Sequence, residues 1–233
     1  MTYSIEALGD CAVVIQLGDR IDVKTNALAI ALAESLRGAG LPGLLEVAPA
    51  YASVCVHYEP LAWSDLRDLQ SPYDRFVAAI CPFVENAKPR VAVVGEWVEI
   101  PVCYGGEFGP DLADVAVRTG IDELQVIERH VGAEYTVAML GFAPGFPYLL
   151  GLDAALHTPR RERPRTRVPA GSVAIGGAQT GIYPRELPGG WQLIGRTPLA
   201  LFDPSRAEPA LLRPGQRVRF RAIDAAEFAR WPA

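Results

Sequence analysis

Hydrophobic patterning divides the first 87 residues into short strand-like and longer helical stretches. Apolar segments typical of strands lie at residues 3–8, 12–17, 44–49 and 53–58. Apolar residues at helical spacing follow the first pair over residues 22–37 and the second pair over residues 61–87. Ser71 followed by Pro72 predicts that the second helical segment breaks or restarts there. The order ββαββα predicts a small α+β sandwich, with a boundary within residues 86–95.

The second part of the chain has two helical patterns and then many short apolar stretches. An alternating stretch covers residues 96–102, and the helices are predicted at 110–120 and 122–130, the second with a capping box at Asp122 and Gln125. Predicted strands follow at residues 135–140, 172–175, 180–183, 191–194, 200–202 and 217–223. Short strands separated by Gly and Pro indicate a closed barrel or sandwich. We therefore predict an α+β protein with domains at residues 1–88 and 95–233.

Residues 141–198 contain 10 Gly and 8 Pro, yet apolar and aromatic residues run through the whole segment. Gly permits positive φ and close backbone approach, while Pro fixes φ and removes a donor. The mixture favours a backbone held in specific turns, as at a binding surface, although an ordinary loop-rich β-domain would have a similar composition.

Composition narrows the class of protein. Half of the 233 residues are hydrophobic and 21% are charged, which argues against disorder. No apolar run approaches the roughly 18 residues of a membrane span, and the first ten residues carry acids where a signal peptide carries bases, so we predict a cytoplasmic protein without membrane contact. Cys11, Cys55, Cys81 and Cys103 form no CxxC pair, which predicts reduced thiols and no bound metal.

Charge is divided unevenly along the sequence. Residues 1–159 hold 9 basic and 21 acidic residues (9 − 21 = −12), whereas residues 160–233 hold 13 and 6 (13 − 6 = +7). Five arginines lie between Arg160 and Arg167. Such a run suits a carboxylate, a phosphate or an acidic partner surface, and equally a solvated strand. Nucleic acid is disfavoured because the chain as a whole is acidic.

Several catalytic arrangements are missing from the sequence. Lys24 and Lys88 are the only lysines, so the second domain has no residue for a P-loop, a Schiff base or a Ser–Lys pair. There is no GxSxG motif, and the three histidines lack the spacing of metal ligands. The sequence therefore gives little support to hydrolysis by this chain alone.

Two candidate groups for acid–base or anion chemistry remain. Glu107 and Asp111 lie beside a predicted helix N-terminus that could hold an anion, but Asp111 could equally be a helix cap. His130 could be a general acid or base, or a residue that the helix dipole favours at the C-terminus. We take Glu107 and His130 as the candidate catalytic residues.

Candidate substrate-binding residues come from the Gly- and Pro-rich segment. Aromatic side chains there could wall a pocket or fill the core, and Trp191 could stack on a ligand or, slightly preferred, plug the barrel. Gln179, Thr180 and Tyr183 offer neutral hydrogen-bonding groups suited to an amide or a carboxylate. The full candidate binding set is Phe146, Tyr148, Arg161, Gln179, Thr180, Tyr183 and Trp191.

Three segments of the sequence resemble a known family. They read YTVAMLGFAPGFPYLLGL, PRTRVPAGSVAIGGAQTGIYP and PGGWQLIGRTPLALFDP, and the upstream IPVCYGGEFGPDL also fits. The family is that of the 5-oxoprolinase B subunit (PxpB), which includes the kinase inhibitor KipI, allophanate hydrolase subunit 1 and part of the carboxyltransferase region of urea amidolyase. The resemblance is strong over residues 100–203 and weaker over the first 90.

The resemblance implies an N-terminal α/β domain, a C-terminal cyclophilin-like β-barrel and a composite enzyme. The partners would be the C subunit of 5-oxoprolinase, which belongs to the KipA or allophanate hydrolase subunit 2 family, and the A subunit. Such complexes use ATP, with Mg at the level of the complex, to convert 5-oxo-L-proline to L-glutamate through phosphorylation of the lactam. The same resemblance also implies two alternatives: a KipI-like inhibitor of a histidine kinase, or a carboxyltransferase- or allophanate-hydrolase-type subunit of a urea-degrading system.

Overall fold

The computed structural model describes residues 3–65, 67, 69–89 and 97–231. The chain divides into two compact units, Met1–Val93 and Val94–Ala233. Most of the predicted boundary segment, and Glu96 at the start of a predicted strand, lie outside the described residues.

The first unit is a four-stranded antiparallel sheet with two helices. Its strands are β1 (Ser4–Ala7), β2 (Ala12–Gln16), β3 (Leu44–Pro49) and β4 (Ser53–Tyr58), in the order β1-β2-β4-β3. Its helices are α1 (Val23–Arg37) and α2 (Pro72–Asn86). One apolar core joins the inner faces of the sheet and both helices, so the predicted ββαββα order is confirmed.

The predicted helical segment 61–87 is shorter than the pattern suggests. Pro60–Trp63 forms only a 3-10 turn, and α2 begins after Ser71, whose hydroxyl accepts from the Asp74 backbone N–H. Leu61 and Leu69 are largely exposed, so the apolar residues before Ser71 do not mark a buried helical face. Leu66, which belongs to that pattern, lies outside the described residues.

The second unit is built on a closed seven-stranded barrel. In chain order the strands of this unit, including two that lie outside the barrel, are β5 (Val98–Tyr104), β6 (Tyr135–Leu140), β7 (Pro147–Leu150), β8 (Arg165–Val168), β9 (Ser172–Gly176), β10 (Gln179–Ile182), β11 (Leu187–Gly189), β12 (Gln192–Arg196) and β13 (Arg217–Ile223). The barrel order is β10-β7-β6-β13-β5-β12-β9, and β8 pairs with β11 in a separate two-stranded sheet. The helices are α3 (Leu112–Thr119), α4 (Glu123–Gly132) and α5 (Ala225–Ala229).

Each barrel strand has an inner and an outer face because successive side chains point in opposite directions. On β9, Val173 and Ile175 join the main apolar core, whereas Ala174 between them joins a second, smaller cluster. We call this second cluster the outer cluster; its buried members are Ala143, Phe146, Val168, Ala174, Tyr183, Trp191 and Leu193. The predicted α+β class with a barrel is confirmed.

Some predicted elements differ from the observed ones. Residues 200–202 form only an isolated bridge between Phe202 and Ala210 instead of a strand. The pattern also misses β7, β8 and β11, which are three or four residues long and contain Pro, Arg or Gly. Strands this short give too few alternations to be recognised. Among the described helices, none has the length and apolar character needed to cross a membrane.

Candidate ligand-binding site

An aromatic-walled cavity of ≈ 310 Å³ lies on the outer face of the barrel. Its wall combines the outer cluster with residues of the segment between the 3-10 turn at 154–156 and β8, and of the stretch around β11. Five aromatic side chains contribute to it, namely Phe142, Phe146, Tyr148, Tyr183 and Trp191. A cavity of this size fits a small molecule, near the lower limit for ligand sites.

Two glycines let the aromatic rings lie flat against the backbone. A Cβ atom on Gly176, at the end of β9, would lie 2.5 Å from ring carbons of Trp191. A Cβ on Gly189, in β11, would lie 2.1 Å from the Tyr183 hydroxyl. The predicted importance of Gly in this segment therefore has a specific cause, which is close approach between backbone and rings.

Phe146 is the centre of the aromatic wall. Its ring meets Trp191 at 5.8 Å and 90°, and Tyr183 at 5.1 Å and 88°. Phe142 approaches the same ring at 5.5 Å and 83°. These edge-to-face contacts are favoured by the quadrupoles of the rings, so they fix the shape of the wall as well as filling space.

Phe142 combines an exposed ring with an uncommon backbone conformation. Its φ is 67°, and among the described residues it is the sole non-glycine with positive φ. Its side chain is 62% exposed although it contacts Phe146. A left-handed conformation costs a bulky residue about 1–2 kcal/mol. An exposed aromatic residue held at that cost beside a cavity suggests a functional contact.

A buried carboxylate holds the arginine-rich segment against the barrel. Asp111 is 2% exposed, and its carboxylate accepts from Arg161 Nη1 at 2.9 Å and from Arg165 Nη1 and Nη2 at 2.9 and 2.7 Å. It also accepts from the Leu193 backbone N–H at 2.7 Å, and the Asp111 N–H donates to the Leu193 carbonyl. Asp111 occupies the N-cap position of α3, as the alternative expected, but its side chain makes no capping hydrogen bond and pairs with the arginines instead.

The cavity carries more positive than negative charge. Arg160 and Arg161 line it, and the Arg160 guanidinium lies 5.6 Å from the Trp191 ring centroid in a cation–π contact. These two arginines are the charged residues of the lining, which contains neither Asp nor Glu among the residues that the structure describes. The net positive charge makes the cavity suitable for an anion.

Two phenol groups at the cavity remain neutral near pH 7. Burial raises the pKa of the Tyr148 hydroxyl, and the charge of Arg160 opposes the rise. Burial also raises the pKa of the Tyr183 hydroxyl, and a hydrogen bond with the Trp191 backbone opposes the rise. Neutral phenols can donate as well as accept hydrogen bonds, so the wall offers polar groups for an amide.

His130 lies inside the barrel, away from this cavity. Its ring is fully buried, with Nδ1 2.8 Å from the Tyr104 hydroxyl and Nε2 3.1 Å from the Thr180 hydroxyl. Burial lowers the pKa of the imidazole from 6.5 to about 3, so it is neutral and gains nothing from the helix dipole as a cation. The predicted catalytic role stays a prediction, and this geometry is that of a core residue.

The structure brings five of the nine predicted site residues to the cavity: Phe146, Tyr148, Arg161, Tyr183 and Trp191. Glu107 is exposed in the loop between β5 and α3, Gln179 is half-buried opposite Gly176, and Thr180 points into the barrel.

The slightly preferred interpretation of Trp191 as a barrel plug is wrong, because this side chain belongs to the outer cluster. Among the described residues, no group of three His, Cys, Asp or Glu could hold a metal ion.

Arg160 was not among the predicted site residues, and Asp111 was considered with Glu107 at the helix N-terminus but not taken into the final set. Arg160 belongs to the arginine run, but the run alone does not say which of its members faces a cavity. Asp111 lies 54 residues before Arg165 in the sequence, and no local pattern pairs them.

Known proteins similar to this chain include two that are named as the B subunit of 5-oxoprolinase. The Bacillus subtilis (strain 168) protein is 43% identical over 97% of this chain and 95% of its own length. The Escherichia coli O157:H7 protein is 46% identical over 91% of this chain and 93% of its own length.

Solved structures similar to this chain include longer proteins. The crystal structure of TTHA0988 has a TM-score of 0.77 at 41% identity, and the match covers 92% of this chain but 40% of that one. The urea amidolyase of Kluyveromyces lactis has a TM-score of 0.76 at 19% identity over 97% of this chain and 15% of its own, a likeness of fold alone. Residues 3–212 match the family described as carboxyltransferase domain, subdomain C and D, and the chain belongs to that family.

Proposed function

We propose that this chain is the B subunit of an ATP-dependent 5-oxoprolinase and acts only together with partner subunits. The observation that carries the proposal is the match over nearly the whole length of two proteins that bear this name, at 43% and 46% identity. A B subunit implies further subunits, for which we propose the A and C subunits of 5-oxoprolinase. The overall reaction would open the lactam of 5-oxo-L-proline to give L-glutamate.

Within such a complex, we propose that this chain binds and orients the cyclic amide. Aromatic faces suit a small ring, neutral phenols suit an amide, and arginines suit a carboxylate, and all three are present at the cavity. ATP would activate the lactam by phosphorylating its oxygen. Mg would accompany ATP at the level of the complex.

Partner dependence is supported by what the cavity lacks. Its described lining residues include aromatic side chains and arginines but neither Asp nor Glu, and Asp111, which pairs with Arg161, is occupied by arginines and a backbone N–H. A second protein that covers the cavity mouth would supply the missing catalytic groups and exclude water. Four unpaired thiols are consistent with a reducing compartment, so we also propose a cytoplasmic location.

The direct test is reconstitution from purified subunits. A mixture of this chain with the A and C subunits, 5-oxo-L-proline, Mg and ATP should form L-glutamate and ADP together. Omission of this chain should abolish glutamate formation. A folded three-protein mixture that consumes no 5-oxoproline would contradict the proposal.

The same mixture separates the alternative functions. A carboxyltransferase-type subunit would require a biotin-carrying partner and urea, and would leave 5-oxoproline unchanged. A KipI-like inhibitor would bind the dimerisation domain of a histidine kinase and lower its autophosphorylation without any added partner.

A further inference from the structure

We infer that the outer-face cavity recognises a small ring carboxylate, with Arg160 and Arg161 as the carboxylate anchors and Asp111 as the residue that positions Arg161. The inference rests on the proposed function, because it assigns the substrate of that function to this cavity. Under this inference the cavity recognises the carboxylate end of the substrate, and the two arginines are the residues that recognise it.

The unused hydrogen-bonding capacity of Arg161 is the first observation. Its guanidinium has five N–H donors, and within the described part of the chain only Nη1 has a partner, which is Asp111. Nε is buried and without a hydrogen-bond partner. A buried donor left unpaired costs stability, and an acceptor supplied by a ligand would remove that cost.

Two hydrogen bonds hold Arg161 in place, one from its side chain and one from its backbone. Asp111 holds the guanidinium, and the Arg161 backbone N–H donates to the Gly190 carbonyl at 2.6 Å. Asp111 lies at the start of α3, and its carboxylate is held to β12 by the hydrogen bond that it accepts from the Leu193 backbone N–H. An arginine that is pre-ordered in this way loses less conformational entropy on binding a ligand than a free surface arginine does.

Arg160 provides the second charge without a carboxylate of its own. It is exposed, it makes no ion pair in the described structure, and its guanidinium lies over Trp191. A carboxylate bound between Arg160 and Arg161 would leave the ring of the ligand against the aromatic wall. Charge-assisted hydrogen bonds from arginine to carboxylate are about twice as strong as neutral ones, so the acid group would dominate recognition.

Calorimetry with three ring compounds tests this assignment. The protein is the complex with its partner subunits, without ATP so that no turnover occurs. The ligands are 5-oxo-L-proline, L-proline, which keeps the carboxylate but lacks the ring carbonyl, and 2-pyrrolidinone, which keeps the lactam but lacks the carboxylate. Both acids should bind, and 2-pyrrolidinone should bind at least about tenfold more weakly than 5-oxo-L-proline, in keeping with loss of a charge-assisted contact.

Variants locate the binding energy. Arg161→Ala and Arg160→Ala should each weaken binding of both acids at least about tenfold and leave 2-pyrrolidinone unaffected. Arg161→Lys keeps the positive charge but cannot donate two parallel hydrogen bonds to a carboxylate as a guanidinium does, so it should recover only part of the affinity for the acids. The matched control is Arg167→Ala, which removes an exposed arginine of the same segment, paired with Glu186, and should leave all three affinities unchanged.

Asp111→Asn tests the positioning role. It should weaken acid binding with little change for 2-pyrrolidinone, and if this variant does not fold, Arg160→Ala and Arg161→Ala still test the carboxylate site. Equal affinity for 2-pyrrolidinone and 5-oxo-L-proline, unchanged acid binding in Arg160→Ala and Arg161→Ala, or no saturable binding of either acid would overturn the inference. Failure of the proposed function is distinct, because it would appear as acid binding without glutamate formation in the reconstituted mixture.

Discussion

The two faces of the barrel wall are built from the same strands but suit opposite purposes. The inner face is a closed apolar core in which His130 and Thr180 satisfy each other's hydrogen bonds. The outer face carries exposed arginines, a buried carboxylate and a half-open aromatic cavity. Groups that are fully satisfied and sealed contribute to stability, whereas unpaired donors beside a cavity can bind a ligand. This difference between the two faces favours the outer face as the ligand-binding side of the barrel.

The largest effect should come from removal of the carboxylate that organises the outer face. Asp111→Ala leaves Arg161 and Arg165 without their shared partner and deprives the Leu193 N–H of its side-chain acceptor. Breaking a buried ion pair from one side is strongly destabilising, and we expect a loss of about 3 kcal/mol in the free energy of unfolding. Urea denaturation measures it.

Glu186→Ala is the matched control for that prediction. It removes a carboxylate from the exposed pair with Arg167 and should leave the urea midpoint almost unchanged. Equal losses in the two variants would show that Asp111 is no more important than a surface residue.

Gly176→Ala should damage the outer face while sparing the inner one. The new methyl group would lie 2.5 Å from ring carbons of Trp191 and must displace that ring. Overpacking of this kind costs about 1–3 kcal/mol, and activity of the reconstituted complex should fall along with stability. Gly132→Ala, at the end of α4, meets no atom within 4 Å and is the control. Retention of full activity in Gly176→Ala would separate Trp191 from function.

His130 gives the inner face a pH signature. Its pKa is about 3 in the folded chain against an ordinary 6.5, so the unfolded chain binds the proton more readily. Burial of the neutral imidazole therefore makes its full contribution to the free energy of unfolding above pH 6.5. That contribution is lost as the pH falls toward 3. The slope is at most about 1.4 kcal/mol per pH unit.

Denaturation between pH 7 and pH 5 measures that slope. His130→Gln removes the titrating imidazole and should reduce the slope of the free energy of unfolding against pH. The reconstituted His130→Gln complex should keep its activity at pH 7 if the residue belongs only to the core. Loss of activity without loss of folded protein would support the catalytic role predicted from sequence.

Phe142→Gly should have the smallest effect on stability. Gly accepts the φ of 67° without strain but loses the ring contact with Phe146, and the two effects should leave the free energy of unfolding within about 1 kcal/mol of the wild type. Activity of the complex should nevertheless fall, because the exposed ring lies at the cavity mouth. Unchanged activity in this variant would mean that the strained residue has no functional contact.

The sequence predicted much of the fold because most elements are local. Strands such as 135–140 and 217–223 and the capping box of α4 depend on residues close together in the chain, and their predicted positions are confirmed. Residues 200–202 have the apolar composition of a strand but form a single bridge, between Phe202 and Ala210, and apolar composition does not distinguish one bridge from a continuous ladder.

The site was less predictable for a geometric reason. Composition directed attention to residues 141–198, and five predicted residues do line the cavity. Alternation alone cannot say which face of a closed barrel carries Trp191, because both faces are buried here. The contact between Asp111 and Arg165 joins residues 54 positions apart, so it becomes visible only once the strands are in place.

Nuclear magnetic resonance of the indole N–H groups tests most directly whether the outer-face cavity is the working site. The complex would contain this chain labelled with ¹⁵N, and Trp191→Phe would assign the Trp191 signal. Titration with 5-oxo-L-proline should shift the Trp191 signal saturably and leave that of Trp63, in the first unit, in place. Saturable binding of 5-oxo-L-proline that leaves the Trp191 signal unmoved would contradict a ligand site on the outer face.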